Sequence, residues 1–400
     1  MSSVDSPIRR PARLVVGVTV GVSAYSLLRG QLAWFAQAGW DVALIANPDE
    51  AAQRAAQREG VRLVGVPMER KIAPTRDIAA LAQWIRILRA TRPDAINVGT
   101  PKAALLGMVA AWLSRVPRRL YTVRGLRLEG ASGFASGVLW LAEWLTMRLS
   151  TDVLFVSRSL AHEARRRRLT LGRKSWVTGG GSSNGVDSSA VALRVAQLDR
   201  GEERLALGLE PSHVVVGFVG RISSAKGIDV LLRACGHADL NPRVRLLMVG
   251  TVEDEGLRVE LERRGSRVTH VPWTDDVWRY LGVIDILCLP TLREGFPNVV
   301  LEAAAAGVPS ITTNATGAID SVVPGETGFI IDIGDSNALV LRINQLAEDP
   351  RLTSRMGLAA RQRVVAEYAP ERIWMGIAEL LEGVVQPVYA QRIEPRGRKG

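Results

Sequence analysis

The stretch "EGFPNVVLEAAAAGVPSI", Glu294 to Ile311, sets two carboxylates, Glu294 and Glu302, eight positions apart across a Gly-Phe-Pro-Asn loop and an Ala-rich apolar run. It reads as a loop followed by a helix beginning at Pro297, because proline at a first helical position gives up an N–H that would have no partner there anyway. Val299 to Ala306 alone would make an ordinary buried helix. The two acids are harder to explain by packing. The N–H groups of Asn298 to Val300 should point out of the helix N-terminus, where the helix dipole favours an anion such as phosphate.

Working outward, "DILCLP" before this loop reads as a buried strand, and the same alternation of short apolar runs with helix-period segments fills most of the chain. That is the pattern of βα units around a parallel sheet, and it occurs twice. The first series predicts strands at 13–20, 42–46, 63–66, 95–98, 119–123, 153–156 and 176–178. The second predicts strands at 214–220, 245–249, 268–271, 285–289, 310–313 and 328–331. The polar stretch Asp187 to Ser212 separates them without a clear structural signal. The expected fold class is therefore α/β, with two Rossmann-like, doubly wound domains facing across a cleft. Residues 1–190 form the first and 205–370 the second, 371–388 form a C-terminal helix returning to the first, and 389–400 form a basic disordered tail. A length of 400 residues suits two hydrophobic cores better than one.

With 47% apolar and 23% charged residues the composition is that of a globular protein, and two cysteines, Cys235 and Cys288, leave no disulfide framework. Both fall in apolar segments and read as packing residues. No signal peptide and no membrane-spanning run is expected, so the cytoplasm is the default compartment. Charge is unevenly spread: residues 1–200 carry 29 Lys and Arg against 14 Asp and Glu, whereas residues 201–400 carry 22 against 26. The first half is thus suited to an anionic partner, or simply exposes solvated arginines such as Arg165 to Arg168.

In "VVVGFVGRISSAKGIDVLL", Val214 to Leu232, Gly220 ends an apolar strand, and Arg221 and Lys226 flank a small-residue turn before the next helix. Two cations around one turn suit a diphosphate. The Gly-Lys-Ser/Thr of a phosphate-binding P-loop and the dinucleotide glycine fingerprint are both missing. Sugar hydroxyls donate hydrogen bonds and carboxylates accept them, so Glu294 and Glu302 complete a nucleotide-sugar site. His162, His213, His237 and His270 are scattered and suggest no metal cluster. Asp275-Asp276 is not an Asp-x-Asp motif; it reads as the cap of a helix over 277–282.

Glu294-x7-Glu302 together with Gly220-Arg221…Lys226-Gly227 resembles the retaining glycosyltransferases of family 4, which have the GT-B fold. "GTPKAALLGMVAAWLSRVPRRLYTVRGLRLEG", Gly99 to Gly130, and "GSSNGVD", Gly181 to Asp187, look like the bacterial branch that builds capsular, exopolysaccharide and lipid-linked glycans. The resemblance extends to about Val385. It implies transfer of a hexose or N-acetylhexosamine from a nucleotide-diphosphate sugar, mostly UDP in this branch, to an acceptor hydroxyl with retention. Arg221, Lys226 and Glu294 would be the catalytic residues. Gly220, Phe296, Pro297, Asn298, Val299 and Glu302 would bind the donor, and Gly17, Lys102 and Arg124 the acceptor. Where many members have histidine in a Thr-x-His-Gly segment, this chain has Arg124. The resemblance implies no cofactor and no metal, a lipid-linked or glycan acceptor, no nucleic acid, and a peripheral position on an anionic membrane at the inner face of the plasma membrane. Rival readings are a sugar-nucleotide epimerase or hydrolase on the same fold, and a non-catalytic partner in a glycan-assembly complex.

Overall fold

The computed structural model describes residues 11–71, 73–170 and 174–393. The chain divides into two compact units. The first takes the described residues up to Phe155, those of Ala164–Thr178 and those from Trp374 onward; the second takes Val156–Glu163 and Gly179–Ile373.

The first unit is built on eight strands: β1 (Arg13–Gly17), β2 (Asp41–Ala46), β3 (Arg62–Gly65), β4 (Ala95–Val98), β5 (Arg118–Val123), β6 (Asp152–Phe155), β7 (Lys174–Thr178) and, far later in the chain, β14 (Ala390–Arg392). Their order in the sheet is β14-β7-β6-β5-β4-β1-β2-β3. The pairs are parallel except β14 on β7. The second unit holds β8 (Val214–Val219), β9 (Val244–Val249), β10 (Val268–Val271), β11 (Ile286–Leu289), β12 (Ser310–Thr313) and β13 (Gly328–Ile331), ordered β10-β9-β8-β11-β12-β13 and all parallel. Helices cover both faces of such a sheet, so its strands read as continuous Val, Leu and Ile runs rather than as an alternation. Leu246, Leu247, Met248, Ile286, Leu287 and Cys288 are all buried.

In each sheet the strand order reverses once, between β1 and β4 and between β8 and β11. Crevices at the carboxyl ends of strands at such reversals are where open parallel sheets take ligands. The turn after β8 begins with Gly220, and the loop holding Glu294 to Pro297 follows β11. Both motifs singled out in the sequence therefore flank one reversal.

Three expectations change. The stretch over 187–212 is helical at Ser188–Ala196 and Arg200–Ala206, capped by Asp187 onto Ala190 N–H and by Asp199 onto the N–H groups of Gly201 and Glu202. Val156–Glu163 and Gly179 onward sort with the second unit rather than the first, because their hydroxyls bond to residues of that unit. The segment read as a disordered tail opens instead with β14, and residues 394–400 lie outside the described residues.

Gly250, just past β9, has φ +144°, and a Cβ there would stand 1.9 Å from the carbonyl oxygen of Gly220. Both the backbone angle and the space exclude a side chain. Gly250→Ala should lower the free energy of unfolding by about 2 kcal/mol or more, with an unchanged dependence on urea concentration, as measured by circular dichroism.

Candidate functional site

Two loops are stitched together at the reversal of the second sheet. The turn after β8 makes a short 3-10 segment, Ser224–Lys226, and ends at Gly227, whose φ of +71° starts the helix Ile228–Cys235. A Cβ on Gly227 would lie 1.8 Å from the carbonyl oxygen of Pro290, so the turn can lie on the end of β11 only with glycine at this position. Leu292 N–H donates to the Ala225 carbonyl at 3.1 Å, and Thr291 Oγ1 does so at 3.3 Å. This contact brings Lys226 Nζ onto Glu294 Oε1 in a charge-assisted pair whose side chains are 19% and 13% exposed. Arg221 points elsewhere: its Nη1 holds both carboxylate oxygens of Glu253 at 3.0 Å, well exposed to solvent.

The second loop feeds the helix Asn298–Ala305. Pro297 is its N-cap rather than its first turn, because its ψ of 93° is not helical. The Val300 N–H closes on the Pro297 carbonyl at 3.0 Å, so the N–H groups that precede the first helical bond are those of Asn298 and Val299. Val300, Leu301, Ala303, Ala304 and Ala305 are buried, whereas Asn298, Val299 and Glu302 are partly exposed. Asn298 and Glu302, four positions apart, therefore share one face, with Glu302 about 6 Å farther along the axis.

Hydroxyl groups fix this loop. Ser157 Oγ donates to the Gly295 carbonyl at 2.8 Å, and Ser182 Oγ donates to Asn298 Oδ1 at 2.9 Å while accepting from Gly185 N–H at 3.0 Å. Ser182 adopts φ +71°, a left-handed conformation that costs free energy for any residue with a side chain. Phe296 packs on Tyr368 with ring centroids 5.6 Å apart, and a Cβ on Gly181 would meet Phe296 at 2.9 Å. On the far side the Glu294 N–H donates to the Thr316 carbonyl at 2.9 Å, and Gly317 N–H donates to Ser159 Oγ at 2.7 Å. Ser159 is itself tied to Asp320. Of these four residues only Ser182 falls in a stretch quoted from the sequence; Ser157 and Ser159 carry no signal beyond their position directly after β6, and Asp320 carries none.

Asp276 also departs from expectation. It occupies the cap position of the helix Val277–Leu281 without making a side-chain cap bond, because its carboxylate is taken by Arg194 Nη2 at 2.6 Å.

In the first unit, Gly17 at the end of β1 is buried, and a Cβ there would lie 2.6 Å from the Trp84 ring, so packing explains this glycine. Lys102 reaches Asp77 Oδ1 at 2.6 Å with its side chain only 10% exposed. The pair lines a cavity of about 190 Å³ together with Asn47, Met68 and Gln83. Arg124 follows β5, and its guanidinium fills the space beside Gly99, where a Cβ would sit 2.0 Å from Nη1. Its Nε is buried without a hydrogen-bond partner, and burial pulls its pKa down to about 10 against the opposing effect of Tyr121.

Comparisons with known proteins bear directly on this arrangement. Residues 199–363 match the model of glycosyl transferases group 1, and residues 21–173 match that of a glycosyl transferase 4-like domain. A capsular polysaccharide biosynthesis glycosyltransferase of Staphylococcus aureus, CapM, is 35% identical over 89% of this chain and 93% of its own. The chain is a family 4 glycosyltransferase. An Escherichia coli UDP-Gal:alpha-D-GlcNAc-diphosphoundecaprenol alpha-1,3-galactosyltransferase is 24% identical over 77% of this chain and 80% of its own. The structure of Anabaena HepE in complex with UDP-glucose superposes with a TM-score of 0.76 at 20% identity, covering 93% of this chain and all of HepE. This transferase therefore has the GT-B fold, with two Rossmann-like domains.

A further buried acid of the transferase lies outside these loops. Glu143, on the helix Gly133–Leu149, is 5% exposed and accepts a hydrogen bond from Tyr121 Oη at 2.8 Å. Burial raises its carboxyl pKa to about 7, with that hydrogen bond and Arg127 pulling the other way. A carboxyl whose pKa is higher in the folded state contributes stability that is present below its unfolded value and is lost as pH rises through the folded one. Relative to Glu143→Gln, the parent enzyme should lose about 3 kcal/mol of stability between about pH 4.5 and pH 8. Urea titrations of both proteins at several pH values would show this, and a pH-independent difference would contradict it.

Proposed function

We propose that the transferase moves a hexose or N-acetylhexosamine from a UDP-sugar to a hydroxyl of a lipid-linked glycan, with retention of anomeric configuration, during surface-polysaccharide assembly. The observation that carries this reading is the Lys226–Glu294 pair beside the mouth of the Asn298–Ala305 helix, with Asn298 and Glu302 on one face of that helix. The capsular relative supports the pathway. The diphosphoundecaprenol named for the E. coli relative supports a polyprenyl-diphosphate acceptor, and the UDP-glucose complex of HepE supports the nucleotide.

On this reading the donor diphosphate lies at the N–H groups of Asn298 and Val299, and Lys226 and Arg221 turn to its oxygens. Glu302 accepts from the ribose and Glu294 from hydroxyls of the transferred sugar, while Gly220, Phe296 and Pro297 shape the backbone around them. As the glycosidic bond breaks, negative charge grows on the departing diphosphate. The two cations and the helix N-terminus then stabilise the transition state more than the ground state. The acceptor hydroxyl attacks from the face the diphosphate leaves, and a phosphate oxygen takes its proton, so no protein nucleophile is needed. Lys102 and Arg124 are proposed to serve the acceptor side, and Gly17 supports them by packing.

Glu302→Gln and Lys226→Ala should each slow turnover about ten- to hundred-fold, as expected for the loss of one charge-assisted hydrogen bond; Lys226→Ala should also lower the unfolding temperature, because it leaves the shielded Glu294 carboxylate without its partner. Wild-type donor affinity and rate in both variants would sink the assignment. Incubation of the enzyme with UDP-sugars, alone and with a polyprenyl-diphosphate-linked sugar, separates transfer from hydrolysis or epimerisation: UDP release should require the acceptor.

With the leaving charge met by Arg221, Lys226 and backbone N–H groups, and with no Asp-x-Asp motif in the sequence, turnover should persist in excess EDTA. Complete loss with rescue by magnesium or manganese would contradict this part of the reading.

A further inference from the structure

The loop that carries Glu294 is held from two directions, and both lead back to a side chain outside the loops described above. Arg363, on the helix Pro350–Glu367, has its side chain 18% exposed. Its guanidinium is divided among four acceptors of the second unit. Nη1 donates to the Ser321 carbonyl at 3.0 Å, Nη2 to the Asp320 carbonyl at 3.1 Å and to Tyr368 Oη at 2.8 Å, and Nε to Glu367 Oε2 at 3.2 Å. One direction runs through Tyr368. Its ring is fully buried, its hydroxyl donates to the Gly180 carbonyl at 3.3 Å, and it packs against Phe296, two residues after Glu294. A Cβ on Gly180 would lie 2.5 Å from Tyr368 Oη, so the hydroxyl fits only because that residue is glycine. The other direction runs through the 3-10 segment Ile319–Ser321, whose last two carbonyls Arg363 holds. Fixing that backbone aims the Asp320 carboxylate at Ser159, which it binds through the Ser159 N–H at 3.0 Å and through the hydroxyl. Ser159 Oγ accepts from Gly317 N–H, the neighbouring Thr316 carbonyl accepts the Glu294 N–H, and a Cβ on Gly317 would stand 2.4 Å from the Gly295 carbonyl oxygen. The two loops thus lie backbone on backbone.

We propose that Arg363 is a positioning residue for Glu294, setting from a distance where that carboxylate stands relative to Lys226 and to the transferred sugar. Packing alone does not call for an arginine here. A mostly buried guanidinium loses its hydration, and an apolar side chain of similar volume would fill the same space without that cost. What only the guanidinium offers is a rigid fork that holds two backbone carbonyls and a phenol oxygen at fixed angles. Those carbonyls end a single 3-10 turn, which has little other means of keeping its shape. Arg363 and Tyr368 also line a small cavity beneath the helix Asn298–Ala305, together with Val300, Leu301 and Ala304, so the same pair supports the helix that carries Glu302. The contact between Lys226 and Glu294 demands this precision, because a displacement of the loop by about 1 Å breaks a hydrogen bond and misplaces a group that must meet a reacting sugar. This role rests on the reading of Glu294 as the acceptor of hydrogen bonds from the transferred sugar.

Hydrogen exchange of the full chain without ligand, read by mass spectrometry, tests the linkage. In Arg363→Met the peptide covering Glu294 to Phe296 should exchange roughly tenfold faster than in the parent, whereas peptides from β8, β9 and β11 should keep their rates. Arg361→Met, at an exposed position of the same helix, should change neither. Turnover of a UDP-sugar with a polyprenyl-diphosphate-linked sugar is then followed in a double-mutant cycle. Arg363→Met should lower kcat about tenfold while the Kd for UDP by calorimetry stays within about twofold, and in a Glu294→Gln background the same change should cost less than about twofold. Arg363→Lys, which can reach one carbonyl but not two, should show a smaller effect on both exchange and kcat, and it carries both measurements where the methionine variant does not fold. Unchanged exchange at Glu294 would overturn the proposal. So would a loss of kcat that is as large in the Glu294→Gln background, or one matched by an equal loss of UDP affinity, since either marks a residue that merely stabilises the fold. A parent that turns over no UDP-sugar would count against the transferase reading instead, and the exchange result would then decide by itself whether Arg363 fixes the loop.

Discussion

The close approach of Gly227 to the Pro290 carbonyl is the constraint on which the candidate site depends. A methyl group there would stand 1.8 Å from that oxygen, so the turn after β8 can rest on the end of β11 only with glycine in a left-handed conformation. The remaining contacts of the candidate site follow from this one. Leu292 bonds to Ala225, the loop beyond it is pinned at Gly295 by Ser157, and Lys226 meets Glu294 across the gap. Gly220 and Gly250 meet the same demand one strand farther along, where the chain leaves β8 beside β9. Parallel strands that end level with one another force their exit loops together, and glycine is the residue that lets backbones come this close.

Much of this was legible in the sequence, for a reason the individual residues make clear. The strands β4, β10, β12 and β13 coincide with their predicted limits, because buried parallel strands leave uninterrupted apolar runs bounded by polar turns. Lys226 and Glu294 stand out because charged side chains beside strand ends have few structural reasons to be there, and the structure pairs them with each other, whereas Arg221 is paired with Glu253. The helices Ser188–Ala196 and Arg200–Ala206 leave no clear signal in the sequence even though each starts at an aspartate cap, because helices this short show little periodicity. The first strand ends at Gly17, short of the predicted 20, because Val18 and Thr19 are buried and prolong the strand-like pattern after the ladder has ended.

The partners of the charged residues could not be read from the sequence at all. Ser182 supports Asn298 from 116 positions away, and Asp320 holds Ser159 from 161 away. Such pairings depend on which loops the sheet order brings together, and a serine carries no pattern that announces it. Arg124 was singled out for its place in a motif. Its state, with a buried and unpartnered Nε and a lowered pKa, is set by Gly99 at the end of the neighbouring strand, which leaves room for a guanidinium where a side chain would otherwise be.

Arg221 and Lys226 are held differently, and the difference matters for the proposed reaction. Arg221 pairs with Glu253 in the open, where an ion pair adds little and a diphosphate can replace the carboxylate at small cost. Lys226 and Glu294 are mostly shielded from water, so neither can be left alone without a desolvation penalty. On the proposed reading a nucleotide sugar relieves both at once, because its diphosphate takes the ammonium and its sugar hydroxyls satisfy the carboxylate. A bare nucleotide diphosphate offers only the first half of that exchange and leaves Glu294 without a donor. The pair would then favour the intact donor over the spent nucleotide by the worth of that hydrogen bond. Departure of the transferred sugar would restore the Lys226–Glu294 contact and with it the incentive for UDP to leave.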